Sequence, residues 1–402
     1  MSGPATPPFS PFTVQYRAME RVLCGESVAE ALPREVDRVG AKRVLLMGSA
    51  SLNRETDVIR TVRDALGGRL AAYYEGMPPH TPRDAVLDAA QMARAARADL
   101  IVSLGGGSLT DAAKMVQVAL AHDVEDVAGF DPWRTVVQAD GATHRPDLRA
   151  PAVRMMSVPT TLSGGDFNPL AGCTDPRHHV KQSYTHPLMV PRAVLLDPAI
   201  TVHTPEWIWL STGMRAVDHA VEGICSQQST PYTEGAARQA LRLLHEGLTR
   251  SKADGQDLEA RHLCQVGMWL SMANREANVP MGASHGIGHV LGGTCGVPHG
   301  YTSCVMLPQV LRYNLGGAEG AANARRQAIV SEALGRPGED AATVVGELVA
   351  ALGMPTRLSQ VGVAPERFGE VAEHAMHDRW IHTNPRPITS PAQVLEILHM
   401  AE

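Results

Sequence analysis

The sequence has no surplus of positive charge: 36 Lys and Arg stand against 42 Asp and Glu, a formal net charge of −6. A chain without a basic face has little to neutralise a phosphate backbone, so nucleic acid is excluded as a partner and small molecules fit better. Long apolar runs are also missing. Arg, Asp, His or Gly interrupts every candidate before the roughly 18–20 residues that a bilayer span requires, so no membrane segment is expected. The six cysteines, Cys24, Cys173, Cys225, Cys264, Cys295 and Cys304, include no pair at the close spacing of a zinc knuckle or redox motif. They read as buried thiols of a reducing, cytoplasmic compartment. The opening MSGPATPPFSPF has no basic stretch followed by an apolar run, so no signal peptide is expected there, and residues 1–11 are expected to be disordered. No internal repeat of fixed period is found.

What is present is apolar material for two cores: with 44% hydrophobic residues, a chain of 402 exceeds the roughly 100–200 residues of one typical domain. From Lys42 onward, short aliphatic runs alternate with segments of helical period: RVLLMGS, a helix near 54–66, RLAAYYEG, a helix near 82–97, then DLIVSLGGG. That alternation predicts βαβ units and a parallel sheet with room for a dinucleotide at its carboxyl edge. Further strands are expected at 153–159 and 193–197, with a loop-rich stretch over 123–150. Past residue 205 helical patterns dominate, at 206–226, 233–251, 258–274, 284–291, 325–334, 341–352 and 391–399. The expectation is an α/β dinucleotide-binding domain over 12–202 and an all-α domain over 203–402.

Two loops at predicted strand ends carry binding chemistry. Gly105-Gly106-Gly107-Ser108 leads from a strand into a helix. Three glycines let the backbone turn sharply beside a ligand, and free N–H groups at the helix start form a positive pole for a pyrophosphate. Ser108 and Asp111 are placed to cap that helix. The triplet is not the GxGxxG fingerprint, and a plain strand-to-helix turn would read the same. The second loop sets Thr160, Thr161 and Ser163 beside Gly164 and Gly165, the hydroxyls and open backbone that ribose or phosphate binding uses. A simple Ser/Thr turn is the alternative; two such loops at two strand ends favour a shared ligand.

Histidines cluster further on. Arg215, His219 and Glu222 fall at i, i+4 and i+7 in GMRAVDHAVEG and share a helical face, with Asp218 a further ~100° around from His219. In GASHGIGHVLGGTCGVPHG, His285 and His289 are again i, i+4, and His299 follows Pro298. Three neutral imidazoles could hold a divalent metal with an open position for a substrate oxygen, or one could relay a proton. Satisfied core histidines are the plainer alternative. His80, in PPHTP, is a further loop histidine.

In chain order, GGGSLTDAAK, PTTLSGGDFNP, Lys181 with the later LLDP, GMRAVDHAVEG, GASHGIGHVLGG and VPHG resemble the iron-containing (group III) alcohol dehydrogenase family, and within it the maleylacetate reductase-like branch. The resemblance spans most of the chain. It implies the dehydroquinate synthase-like fold, NAD(H) or NADP(H) as cofactor, and a homodimer. By it, Gly105, Gly106, Gly107, Ser108 and Asp111 look like the pyrophosphate loop, and Thr160, Thr161, Ser163 and Lys181 like further nucleotide contacts. Ser49 joins them, at the end of Met47-Gly48-Ser49, where NAD-selective relatives carry an acidic residue; without that carboxylate a 2′-phosphate is not repelled, so NADP(H) stays open. His219, His285 and His299 match the metal-binding histidines, for iron or zinc. His289 matches a histidine close to nicotinamide and substrate. His80-Thr81-Pro82 is similar to a segment near the substrate cleft of maleylacetate reductases.

Arg215 departs from the pattern. Metal-dependent relatives carry an aspartate ligand four residues before the first histidine, and here that position is a permanent cation. A guanidinium repels a dication and removes an anionic ligand, while Asp218 is expected to leave the helix in another direction. The expected activity is therefore hydride transfer between nicotinamide and a small, carboxylated substrate. Arg215 would anchor the substrate or stabilise an enolate oxygen, His289 or His285 would handle the proton, and His80, His219 and His299 would line the substrate. Pairing of Arg215 with Asp218 or Glu222 is the plainer reading of that residue. The rival activities are a metal-dependent alcohol dehydrogenase or aldehyde reductase, and a dehydroquinate synthase-like lyase.

Overall fold

The structure, a computed structural model, describes residues 11–137, 143–178 and 180–402. Of the segment expected to be disordered, residues 1–10 lie outside those described. The strands in chain order are β1 (Arg21–Cys24), β2 (Val44–Gly48), β3 (Leu70–Glu75), β4 (Leu100–Gly105), β5 (Val136–Val137), β6 (Thr143–His144), β7 (Arg154–Pro159), β8 (Leu170–Asp175), β9 (Val180–Thr185) and β10 (Ala193–Leu196). Six of them form one parallel sheet in the order β1-β10-β7-β4-β2-β3, while β5–β6 and β8–β9 are antiparallel pairs.

Helices cover both faces of the parallel sheet, which is why β2 and β4 read as unbroken apolar runs rather than alternating ones. The side chains still divide by the two-residue period. Leu45, Met47, Ile101 and Met155 pack with α4 (Arg83–Ala95) and α5 (Gly107–Ala121). Val44, Leu46, Leu100, Val102, Leu104, Met156 and Val158 pack with α1 (Val28–Arg38) and α3 (Val58–Leu66). Each such side chain contributes about 1.5–3 kcal/mol of burial. After β3 the chain crosses back over β2 to lay β4 on its other side. The carboxyl ends of β2 and β4 therefore flank a topological switch point, where open α/β sheets bind ligands.

The expected helix over 54–66 is two helices, α2 (Ala50–Glu55) and α3. Thr56 separates them in extended conformation, its hydroxyl donating to the Leu52 carbonyl (2.6 Å) and accepting from the Val58 amide (3.2 Å). Neither β1, α1 nor the β8–β9 hairpin was expected from sequence.

The second half is helical: α6 (Pro198–Thr201), α7 (Glu206–Cys225), α8 (Pro231–Ala253), α9 (Leu258–Ser271), α10 (Ala273–Glu276), α11 (Ala283–Cys295), α12 (His299–Asn314), α13 (Gly320–Ala333), α14 (Ala341–Ala351), α15 (Phe368–Ala375) and α16 (Pro391–Met400). α7 is the axis, packed by α8, α9, α12 and α13 and buried on all sides from Trp209 onward except at Thr212. A helix in that position should be apolar all round. It nevertheless carries Arg215, Asp218, His219 and Glu222 in its buried middle. Among the described residues, no helix is long and apolar enough to cross a membrane.

Candidate active site

The two glycine loops meet at the switch point. Ser49 donates its amide to Leu104 (3.1 Å) and Thr160 donates its amide to Gly105 (3.0 Å), so three strand ends are tied side by side. A Cβ on Gly106 would lie 3.2 Å from Thr161 Cγ2, and one on Gly107 would lie 3.1 Å from Ser163 Oγ. Only glycine lets the hydroxyl loop close this tightly on the start of α5. That helix has no acidic residue in its first turn and no side-chain cap. Ser108 and Asp111 thus do not cap it, contrary to the sequence expectation, and its first N–H groups face outward as an anion site. Ser163 Oγ is buried without a partner beside them. An orphaned hydroxyl next to free helix amides fits a pyrophosphate, and these residues would hold a dinucleotide.

Asp111 points instead to the unexpected hairpin. Its carboxylate accepts the Gly172 amide (3.2 Å) and stands 3.9 Å from Lys181 Nζ. Lys181 lies across Gly172, where a Cβ would meet its Cε at 2.2 Å, and so reaches the α5 start from β9. His80 sits at φ 65° in the turn before α4 and accepts from Thr174 of β8 (2.8 Å) through its carbonyl. Its neighbour Thr81 donates to the Ser108 carbonyl (3.0 Å). The structure therefore ties His80 to the glycine loop and hairpin, and among the described residues it makes no hydrogen bond with the other histidines.

In the helical half, α7, α11 and α12 bring the remaining polar residues together. Arg215 is buried; its Nη1 donates to Ser303 Oγ (2.9 Å) and stands 3.5 Å from Asp218 Oδ2. Asp218 does not leave in another direction, as expected from the helical angle, but turns into the same cluster and accepts from Ser284 Oγ (2.8 Å) and Ser303 Oγ (2.6 Å). Glu222 caps α11 from outside that helix, accepting the Gly282 and Ser284 amides (2.8 and 2.9 Å). It also hydrogen-bonds His285 Nδ1 at 2.7 Å. Burial, then the Asp218 charge, push the Glu222 carboxyl up to about 8. Asp218 is raised by burial as well, with Arg215 opposing.

The histidines divide into an inner and an outer pair. His219 and His285 are buried, with ring centroids 4.9 Å apart, and His219 Nδ1 and His285 Nε2 have no partner. Burial and then Arg215 hold both well below the usual imidazole range. His289 and His299 are exposed and stack at 5.9 Å. His299 is held low by the Arg215 charge first, then by desolvation, with His289 and Lys181 adding. His289 Nδ1 is 2.8 Å from Asp378 Oδ2. Asp378 was missed by sequence reasoning, because nothing in its local sequence marks it.

A divalent metal is the group the resemblance implies here. The His219, His285 and His299 set offered for it does not bring three ring nitrogens within 4.8 Å of one another; among the described residues it is two carboxylate oxygens and one ring nitrogen, of Asp218, Glu222 and His285, that come so close. Those donors are engaged by Arg215, two serines and two amides. With a guanidinium already beside them, the donor set does not fit a four-ligand dication centre.

A parallel sheet with a dinucleotide cradle at its switch point, facing a helical half that presents imidazoles, defines a nucleotide-dependent oxidoreductase. Residues 19–198 match the family described as iron-containing alcohol dehydrogenase, and 209–402 match the Fe-containing alcohol dehydrogenase family, C-terminal. The chain belongs to the iron-containing alcohol dehydrogenase family and is an enzyme of oxidation and reduction. It is 33% identical over 392 residues to "Dehydrogenase FUM7" of Gibberella moniliformis, covering 90% of this chain and 91% of that one. It is 30% identical over 381 residues to a maleylacetate reductase of Pseudomonas aeruginosa, covering 95% of each. Among solved structures, a maleylacetate reductase from Agrobacterium tumefaciens superposes with a TM-score of 0.80 at 26% identity, covering 98% of both chains.

Proposed function

We propose that this chain is a cytoplasmic NAD(P)H-dependent reductase of the maleylacetate reductase kind, acting on a small carboxylated substrate, with residues 12–202 binding the nucleotide and 203–402 the substrate. The observation that carries this reading is Arg215: a buried guanidinium, ion-paired to Asp218, among the residues where relatives would hold a metal.

Bound nicotinamide would supply a hydride to the carbon–carbon double bond of a 4-oxo-dicarboxylate. Arg215 then offers fixed positive charge to the enolate oxygen that forms as the hydride arrives. His289, oriented through Nδ1 by Asp378, delivers the proton from Nε2 to the neighbouring carbon, which restores the ketone and leaves a saturated product. Gly105, Gly106, Gly107, Ser108, Ser163 and Thr161 hold the pyrophosphate, Ser49 and Thr160 flank it, and Lys181, steadied by Asp111, closes the cradle.

A metal-dependent alcohol dehydrogenase remains the second reading, favoured by the orphaned His219 Nδ1 and His285 Nε2. Consumption of NADH and NADPH is to be followed with maleylacetate, simple aldehydes and, in reverse, alcohols. Metal content is measured on protein purified without chelator. The proposal expects reduction of maleylacetate at sub-stoichiometric metal, and a loss of about 10²–10³ in kcat for Arg215→Met. One metal per chain, with activity lost on its removal, overturns it. Turnover without net nicotinamide consumption would point to the lyase chemistry of dehydroquinate synthase-like proteins.

A further inference from the structure

Two guanidinium groups share one indole in the helical half. Arg379 Cζ lies 4.1 Å from the centroid of the Trp380 ring, and Arg275 Cζ lies 5.1 Å from it. Among the described residues, neither side chain donates a hydrogen bond or forms an ion pair. Other arginines of this chain behave differently: Arg83, Arg177, Arg250 and Arg336 each engage two or more carboxylates. Two like charges held on the same aromatic platform repel each other, and among the described residues only the more distant charges of Asp378 and Glu222 offset them, without an ion pair. The strain registers on Arg275, whose pKa is lowered to about 10 by burial and then by Arg379, Arg215 and Arg17.

Their location is specific. Arg379 follows Asp378, the carboxylate that orients His289, and the Trp380 amide donates to Asp378 Oδ1 (2.8 Å), so the turn holding the platform also fixes the proton donor. Arg275, on α10, is near enough to His219 and His285 to lower both. Arg145, from the sheet half, acts on Arg379 in the same way. Through Trp380 and Asp378 the pair is tied to His289, while Arg215 lies among α7, α11 and α12.

We infer that Arg275 and Arg379, stacked on Trp380, form an anion site for a second carboxylate of the substrate, so that the enzyme selects dianionic substrates. A planar guanidinium on an aromatic face keeps its N–H edge free and pre-set, which is the arrangement that grips a carboxylate bidentately. Arg215 and this pair would hold the two ends of one molecule, with the reacting carbons between them beside His289. The inference rests on the reductase reading for its substrate, although the anion site itself is testable without turnover. A cofactor phosphate has the same oxyanion chemistry. The cradle at α5 already receives the pyrophosphate, and for that reason we assign the pair to the substrate.

The test uses the full-length enzyme and its Arg275→Met, Arg379→Met, Arg275→Lys and Trp380→Phe variants. Succinate, an unreactive dicarboxylate, is titrated calorimetrically against the NAD(P)H-saturated protein, with propionate as the single-carboxylate control. Succinate is expected to bind at least tenfold more weakly to either methionine variant, with Arg275→Lys recovering part of the loss and propionate nearly unchanged. In kinetics, the KM for maleylacetate should rise tenfold or more with kcat within about threefold, while the KM for a neutral aldehyde stays put. Equal succinate affinity in wild type and variants overturns the inference, as does absence of succinate binding to the wild type. A fall in NAD(P)H affinity with succinate unaffected gives the pair to the cofactor and overturns it too. If maleylacetate is not reduced at all, the functional proposal fails, and the succinate titration still decides the site. Arg379 is exposed, so its variant keeps the test valid even where a change at Arg275 disturbs folding.

Discussion

The proposal of a metal-independent reductase turns on a single residue, Arg215, and its surroundings show how a buried cation is tolerated. Desolvation works against the charge, while Asp218 and Glu222 support it. Ser284 and Ser303 both donate to Asp218 Oδ2, while its Oδ1 is buried without a partner. Removing Asp218 would strand the guanidinium, so Asp218→Ala should destabilise the fold by about 3–5 kcal/mol, read from urea midpoints. Chemistry is expected to concentrate at the exposed imidazole. His289→Asn should lower kcat by about 10²–10⁴ with nicotinamide affinity unchanged. Asp378→Asn should cost less and alter the pH profile, since it removes orientation rather than the proton donor; a flat response to both would refute the assignment. Arg215 was legible in the sequence because its helical spacing places it against His219. Asp378 and the Arg275–Trp380–Arg379 group were not. They reach the site through turns far along the chain from the histidine motifs, and no local period announces such convergence.

At the level of elements, the cradle works because two loops touch. Gly107→Val should push Ser163 aside and fill the space over the α5 start, raising the KM for the nucleotide at least tenfold, about 1.4 kcal/mol, with little change in melting temperature. The hairpin that carries Lys181 is held by another buried cation. Arg83 of α4 donates to Asp131 (2.7 Å), Tyr184 (2.7 Å) and Asp175 (3.3 Å). Arg83→Met should cost about 3–5 kcal/mol and loosen nucleotide binding through Lys181. Asp175 carries a pH signature. Arg177 first, and Arg83 with it, hold its carboxyl far below the usual range. Its contribution is full above the unfolded value of about 3.9 and is lost as pH falls toward the folded one. Urea midpoints should accordingly drop below pH 4, and less steeply in Arg83→Met. The βα alternation was readable because β2 and β4 are continuous apolar runs between helices. α12 escaped because Pro308 interrupts its pattern, and α1 because Pro33 does the same. The hairpin escaped because its strands mix small and polar residues.

On the scale of the whole molecule, the proposed cradle belongs to the sheet half and the proposed substrate groups to the helical half, and the charge of Lys181 is felt by His299. A ligand that touches both halves should stabilise both. At a hundredfold excess over Kd, NAD(P)H adds about 2.7 kcal/mol. A chain of this length turns that into a melting shift of about 3 °C. A calorimetric scan checks this, and with both nucleotides at one common concentration the larger shift marks the preferred cofactor. The two-lobed architecture was the most legible feature of all, because the change from strand-and-helix alternation to helix alone is a property of long stretches. The order of strands was not, since pairing partners distant in the chain leave no local mark.

One pairing has a consequence for biosynthesis. β1 lies at the edge of the sheet against β10, so Arg21–Cys24 meets Ala193–Leu196. On a ribosome the earliest strand must wait, unpaired, until nearly half the polypeptide has emerged. Once β7 (Arg154–Pro159) has emerged, its flank too is an open template for other nascent chains until β10 follows. Slow translation or a stall before codon 193 should therefore send this protein toward aggregates, and a chaperone that shields exposed strand edges would find its client there.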